Sequence, residues 1–114
     1  ISVLPDNEST RELVAPDCLA AMVGGWFVNV GRGTVVKEQD LLEALESGAL
    51  AGAALDVFDL EPLPESSPLW SHPRVVLTSH TAGLSPHYGS RLMSIFRENL
   101  QALAGARDWV NRVN

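Results

Sequence analysis

Cysteine is almost missing from this chain of 114 residues: Cys18 stands alone. No internal disulfide can form, and a reducing, cytoplasmic compartment is the expected setting. Leu19, Ala20, Ala21 and Met22 follow it, so Cys18 reads as a small packing residue rather than a nucleophile. Long apolar runs are missing too. A membrane helix needs ~20 such residues, and the longest candidate, Leu50 to Phe58, is interrupted by Gly52 and Asp56. Positive charge is scarce: 8 basic against 14 acidic side chains leave a net charge of −6, with the arginines scattered. That balance excludes a nucleic-acid binder, which would show a basic stripe. Internal repeats and low-complexity tracts are absent as well.

What is present is ordinary globular material, 46% apolar and 19% charged. The length suits one domain by the usual measure of roughly 100–200 residues. The chain opens at Ile1, with no signal-peptide pattern, inside what reads as a strand, Ile1 to Leu4. A small complete domain and the tail end of something larger both fit that opening.

Along the chain, Pro5 to Thr10 is polar and turn-forming. Pro16 and Asp17 open a short helix to Met22, with proline tolerated in the first turn, and Gly24-Gly25 breaks it. Trp26 to Val30 is apolar on both faces and reads as a buried parallel strand. After Gly31-Arg32-Gly33 comes a helix from about Lys37 to Ser47. Glu38 and Asp40 lie at its dipole-favoured start, Leu41, Leu42 and Leu45 form its inner face, and Gly48 is its C′ residue. Ala51 to Phe58 is a second buried strand, followed by a proline-rich loop with Pro62, Pro64, Pro68 and Pro73. Arg74 to Thr78 is a short strand ending at His80. Tyr88, Leu92, Ile95, Phe96, Leu100 and Leu103 then mark a long amphipathic helix from about Pro86 to Ala104. This alternation predicts an α/β fold, an open parallel sheet with right-handed crossovers.

Ligands of such sheets bind outside the carboxyl ends of the strands. Those ends deliver Arg32 between two glycines, then Asp56, Asp59 and Glu61, then His80. By local context Arg32 suits a solvated loop charge and a ligand contact equally well. Glu61 alone reads as a surface carboxylate before a proline. His72 and His87 read as surface histidines. His80 is set apart by its place at a buried strand end before Thr81-Ala82-Gly83, and Asp56 by lying in an apolar strand, where an unpartnered carboxylate is costly. A carboxylate beside a histidine favours the protonated ring, and an arginine can clamp a planar carboxylate with two parallel hydrogen bonds. Together they suit reduction of a 2-keto acid: the arginine holds and polarises the substrate, and the histidine donates the proton. No side chain transfers hydride, so a nicotinamide cofactor is required.

Three ordered motifs carry a resemblance over essentially the whole chain. Asn29-Val30-Gly31-Arg32-Gly33, Leu55-Asp56-Val57-Phe58-Asp59-Leu60-Glu61-Pro62-Leu63-Pro64 and Thr78-Ser79-His80-Thr81-Ala82-Gly83 resemble the D-isomer-specific 2-hydroxyacid dehydrogenases. The Leu4-Pro5 loop with Glu8, Thr10 and Arg11 fits the same pattern, and Pro68 to Val75 is most similar to the glyoxylate/hydroxypyruvate reductase-like branch. The resemblance implies a Rossmann-like open parallel sheet, the second half of a dinucleotide-binding domain, with a long C-terminal helix. It implies that Arg32 binds and activates substrate, that His80 is the general acid/base and that Glu61 is its partner. Asp56 would hold the nicotinamide carboxamide; Val30, Gly31, Arg32, His80, Ala82 and Gly83 would line the nicotinamide end, and Leu4-Pro5 the adenosine side. Ser79 departs from the family, which commonly has proline before the histidine; this softens the restraint on that loop. Glu61 separates the chain from formate dehydrogenase relatives, which carry glutamine there.

No Gly-x-Gly-x-x-Gly turn for a pyrophosphate occurs in the chain, nor the residue beyond it that separates NAD from NADP. The resulting expectation is the C-terminal part of a dehydrogenase: residues 1–85 as the second half of the NAD(P)-binding domain, and 86–114 as a helix and tail returning toward the substrate domain, with Asn111 to Asn114 a family C-terminus. Such a piece would be inactive by itself, and its full-length protein a cytoplasmic homodimer. Two other readings stand beside it: an NAD(H)-sensing interaction protein similar to the family's co-repressors, and a stand-alone domain with a vestigial site.

Overall fold

The computed structural model describes residues 1–112, so Val113 and Asn114 of the expected C-terminal tail lie outside the described residues. The chain divides between Ala82 and Gly83 into two compact units. In the first, helix α1 (Pro16–Ala21) precedes strand β1 (Gly25–Asn29), helix α2 (Glu38–Glu46), strand β2 (Leu50–Leu55) and strand β3 (Val75–Leu77). Short 3-10 turns cover Gly33–Val35 and Pro68–Ser71.

The sheet is parallel throughout, in the order β1-β2-β3, with Phe27 opposite Ala53 and Ala53 opposite Val75. The open parallel α/β architecture read from the sequence is the one observed. The expected opening strand is reduced to one parallel bridge, Ser2 with Asn29. The Pro5–Thr10 turn ends its pairing: the Asn7 side chain accepts the Ser9 and Thr10 amides, and Thr10 Oγ1 donates to the Pro5 carbonyl.

Helix α2 forms as its sequence dictates. Leu41 and Leu45 are fully buried and Leu42 partly so, and the helix stops where Gly48 takes a φ of +78°. The Arg74 guanidinium donates to the Leu45 carbonyl, which also accepts the Gly48 amide, closing that end. Leu19, Phe27, Leu41, Leu45, Leu50, Ala53, Leu55 and Leu69 form the core with these helices on one sheet face. The opposite face carries Trp26, Val28, Ala54 and Val76, and Trp26 and Val76 are 55% and 54% exposed. Burial of β1 on both faces, expected from its composition, is therefore corrected. Its alternate residues point to a side that α1 and α2 do not cover. Cys18 likewise proves exposed rather than packed.

The second unit is built on α3 (Tyr88–Leu103), the long helix expected from the spacing. The Asn99 side chain accepts the Val110 amide and donates to its carbonyl, folding the following segment back on the helix. Among the described residues no helix is long and apolar enough to cross a membrane.

Candidate active site

The exits of the three strands lie along one edge because the strands are parallel and in register. After β1, the buried Asn29 side chain closes the turn. Its Nδ2 donates to the Arg32 carbonyl at 2.9 Å and its Oδ1 accepts the Gly31 amide at 3.2 Å. The two glycines around Arg32 then press against different segments. A Cβ on Gly31 would stand 2.7 Å from the Leu4 amide nitrogen and carbonyl oxygen; one on Gly33 would stand 1.9 Å from the Phe58 carbonyl carbon. Neither fits. Gly31 thus seats the Leu4-Pro5 loop beside β1, and Gly33 seats the Phe58–Glu61 loop. Arg32 itself is exposed, with Nη1 donating to the Gly31 carbonyl at 2.7 Å.

Strand β2 ends at Leu55, so Asp56 follows the strand rather than lying inside it as the apolar run implied. Only 3% of Asp56 is exposed, and its carboxylate is turned to the β3 exit. Oδ1 accepts the Thr78 hydroxyl and the Thr81 amide, and Oδ2 accepts the Ala82 amide. Burial alone would raise its pKa. The Thr78 hydroxyl, the two amides and nearby His80 outweigh burial and hold it below the ordinary value.

Glu61 and His80 form the centre. His80 Nδ1 lies 2.7 Å from Glu61 Oε2, while Glu61 Oε1 accepts the Phe58 amide at 3.0 Å. The His80 bond, the Phe58 amide and, more weakly, the Arg32 charge lower the Glu61 pKa against the opposing effect of burial. The local reading of Glu61 as a mere surface carboxylate is thus replaced by a pairing across 19 positions. A cavity of about 560 Å³ adjoins the pair, with Phe58, Leu63, Trp70 and Leu77 supplying its apolar wall.

Val30 is 37% exposed at the β1 exit, and Leu4 is half-buried with Pro5 exposed beside it. Ala82 is held through its amide by Asp56, and Gly83 opens the second unit with empty space where a side chain would stand. Asp59 is not brought to His80; it faces Glu38, whose pKa is raised by burial first and by the Asp59 charge. His72 accepts the Arg74 amide in a turn, and His87 stands exposed just before α3 with no side-chain bond to the helix start. Sequence reasoning passed over Asn29 and Thr78. The signal was available: a polar side chain at the last residue of one buried strand and just past the end of another.

Glu61 and Asp56 are both held below their ordinary values of 4.5 and 3.8. The stability they add is complete above those values and is lost as pH falls through them toward the folded-state pKa values. Glu38, raised from 4.5, contributes with the opposite sign. Urea titrations at stepped pH are expected to show the midpoint falling through the carboxylate range, with a shallower fall in Asp56→Asn.

Residues 1–82 match the family model described as "D-isomer specific 2-hydroxyacid dehydrogenase, NAD binding domain". The chain is 48% identical over 86 residues to glyoxylate/hydroxypyruvate reductase A of Salmonella paratyphi B, covering 75% of this chain and 28% of that protein. Among solved structures it is similar to a D-isomer specific 2-hydroxyacid dehydrogenase from Xanthobacter autotrophicus Py2 in complex with NADPH and MES. That likeness has a TM-score of 0.87 and 38% identity over 98% of this chain and 46% of the other. An NADPH-dependent glyoxylate/hydroxypyruvate reductase from Sinorhizobium meliloti, in complex with NADP and sulfate, matches with a TM-score of 0.80 and 32% identity, covering 92% of this chain and 35% of that one. The chain spans little more than a quarter of the length of the curated relatives it matches, 28%. The matched segment coincides with the unit that carries the sheet and all three strand exits, and by it the chain belongs to the D-isomer specific 2-hydroxyacid dehydrogenase family.

Proposed function

We propose that this chain supplies the catalytic edge of an NAD(P)H-dependent reductase of small 2-keto acids, glyoxylate and hydroxypyruvate first among them. The observation that carries the reading is the 2.7 Å contact between His80 Nδ1 and Glu61 Oε2, at the same sheet edge as the exposed Arg32. The net reaction consumes one keto acid, one reduced nicotinamide and one proton, and yields the 2-hydroxy acid and the oxidised cofactor.

Glu61 accepts the Nδ1 proton and fixes the ring, which leaves Nε2 to carry the proton that goes to the substrate oxygen. Arg32 offers its guanidinium to the substrate carboxylate and draws electron density from the adjacent carbonyl. The donor set also fits a nicotinamide carboxamide. Asp56 receives three hydrogen bonds, against the roughly four acceptor positions of a carboxylate, and so retains one for an amide N–H. Val30, Gly31, Ala82 and Gly83 would border the ring, and Leu4-Pro5 the adenosine side. When bound, the cofactor supplies the hydride.

NADPH or NADP accompanies similar proteins in their structures, and NAD or NADP is the cofactor that fits this reading. We place residues 1–85 in the cofactor domain and 86–114 in a helix and tail running toward a substrate domain. Family resemblance supports a homodimer, and the lone Cys18 supports the cytoplasm. The test is a spectrophotometric assay of the full-length protein carrying this chain. NADPH or NADH oxidation with glyoxylate and hydroxypyruvate is expected, and cofactor binding without reduction of a broad keto-acid panel would overturn the reading.

A further inference from the structure

His80 is held in a conformation that a histidine seldom adopts, with φ +55°. A side chain there meets its own backbone, so something outside the residue must hold it. The restraints around it converge on one neighbour. The His80 amide donates to the Asp56 carbonyl at 2.8 Å, and the amides of Thr81 and Ala82 donate to the two Asp56 oxygens at 2.9 Å each. The Asp56 carboxylate therefore acts as a template for the turn that presents His80. A carboxylate can rotate about its own bond, however, and the two amides belong to the very turn it is meant to hold. The third contact comes from Thr78, whose hydroxyl donates to Oδ1 and whose amide is locked to the Leu55 carbonyl at 3.0 Å.

We infer that Thr78 is a positioning residue for catalysis: its hydroxyl fixes the plane of Asp56, and Asp56 in turn fixes the left-handed turn that aims His80 at Glu61 and the substrate. This rests on the reading of His80 as proton donor given above. Ser79 sharpens the need, because the chain lacks at that position the proline that would restrict the turn from within. Asp56 itself cannot test the idea cleanly, since it is also placed to meet the cofactor. Thr78 donates its hydroxyl to Asp56 and to no other described group.

The test compares Thr78→Val, which keeps the shape and removes the hydroxyl, with Thr78→Ser, which keeps the hydroxyl, in the full-length protein. A misplaced reacting group costs up to about 100-fold, and Thr78→Val is expected to lose about 10- to 100-fold in kcat. Thr78→Ser returns to within about threefold of the parent in kcat. In parallel, hydrogen exchange reads the turn without relying on activity: the Thr81 and Ala82 amides exchange at least about tenfold faster in Thr78→Val while Ala53 in β2 is unchanged. Unchanged exchange at Thr81 and Ala82 overturns the inference, and so does faster exchange with undiminished kcat. Should the parent protein reduce no keto acid, the proposed function fails, and the exchange data still decide whether Thr78 holds the turn.

Discussion

His80→Ala is expected to lower kcat with hydroxypyruvate by about 1,000-fold, within the range that a positioned acid contributes. The geometry leaves no substitute for it. The described His72 and His87 lie in a turn and just before a helix, and Glu61, with Oε1 on the Phe58 amide and Oε2 on His80, holds no proton for donation. Glu61→Gln should lose less. The amide keeps the Phe58 contact on its oxygen yet presents no negative charge to an imidazolium. Arg32→Lys keeps the charge but not the planar fork, so its loss should fall on KM as well as kcat. Steady-state kinetics over a range of keto-acid concentrations separate these three patterns. Turnover of His80→Ala within tenfold of the parent would remove the histidine from the mechanism.

The second large effect is expected at a residue that touches no ligand. Gly33→Ala places a methyl 1.9 Å from the Phe58 carbonyl carbon, 2.2 Å from its oxygen and 2.3 Å from the Asp59 nitrogen. No rotamer relieves this, because the neighbours are backbone. The Arg32 turn and the loop bearing Glu61 must separate. Overpacking in a core typically costs about 1–3 kcal/mol, and backbone against backbone should stand at the upper end, about 3 kcal/mol. Separation by even about 1 Å also predicts a fall of about 100-fold in kcat/KM. Urea denaturation and kinetics on the same variant measure both. Gly89→Ala is the control: in α3, with nothing within 4 Å of the added methyl, it should stabilise by about 0.4–1 kcal/mol and leave turnover unchanged.

These two residues also show what the linear sequence exposes and what it hides. The Leu41–Leu45 periodicity and Gly48 predict α2 and its stop directly, because helix burial and capping are local rules. The glycines around Arg32 announce a tight approach but not its partners, Leu4 and Phe58, which only the fold brings together. Strand ends are harder to place from composition. Asp56 and Val57 are buried and therefore resemble strand, but the Asp56 side chain turns to bind the β3 exit and the ladder ends at Leu55. The Glu61–His80 and Asp56–Thr78 contacts span 19 and 22 positions. No spacing rule reports such pairs, and the family resemblance pointed to the first of them alone. Trp26 misled because composition cannot say which sheet face the helices cover.

Hydride delivery to the substrate carbon beside His80 and Arg32 is the central claim, and an isotope experiment reaches it most directly. The full-length protein carrying this chain is given hydroxypyruvate and NADPH deuterated at the transferable C4 position, and the product is analysed by mass spectrometry and chiral chromatography. One deuterium at C2 of D-glycerate is the predicted result, formed about 1,000-fold more slowly in His80→Ala. L-Glycerate, glycerate without the label at C2, or labelled product formed equally fast by the His80 variant would contradict it.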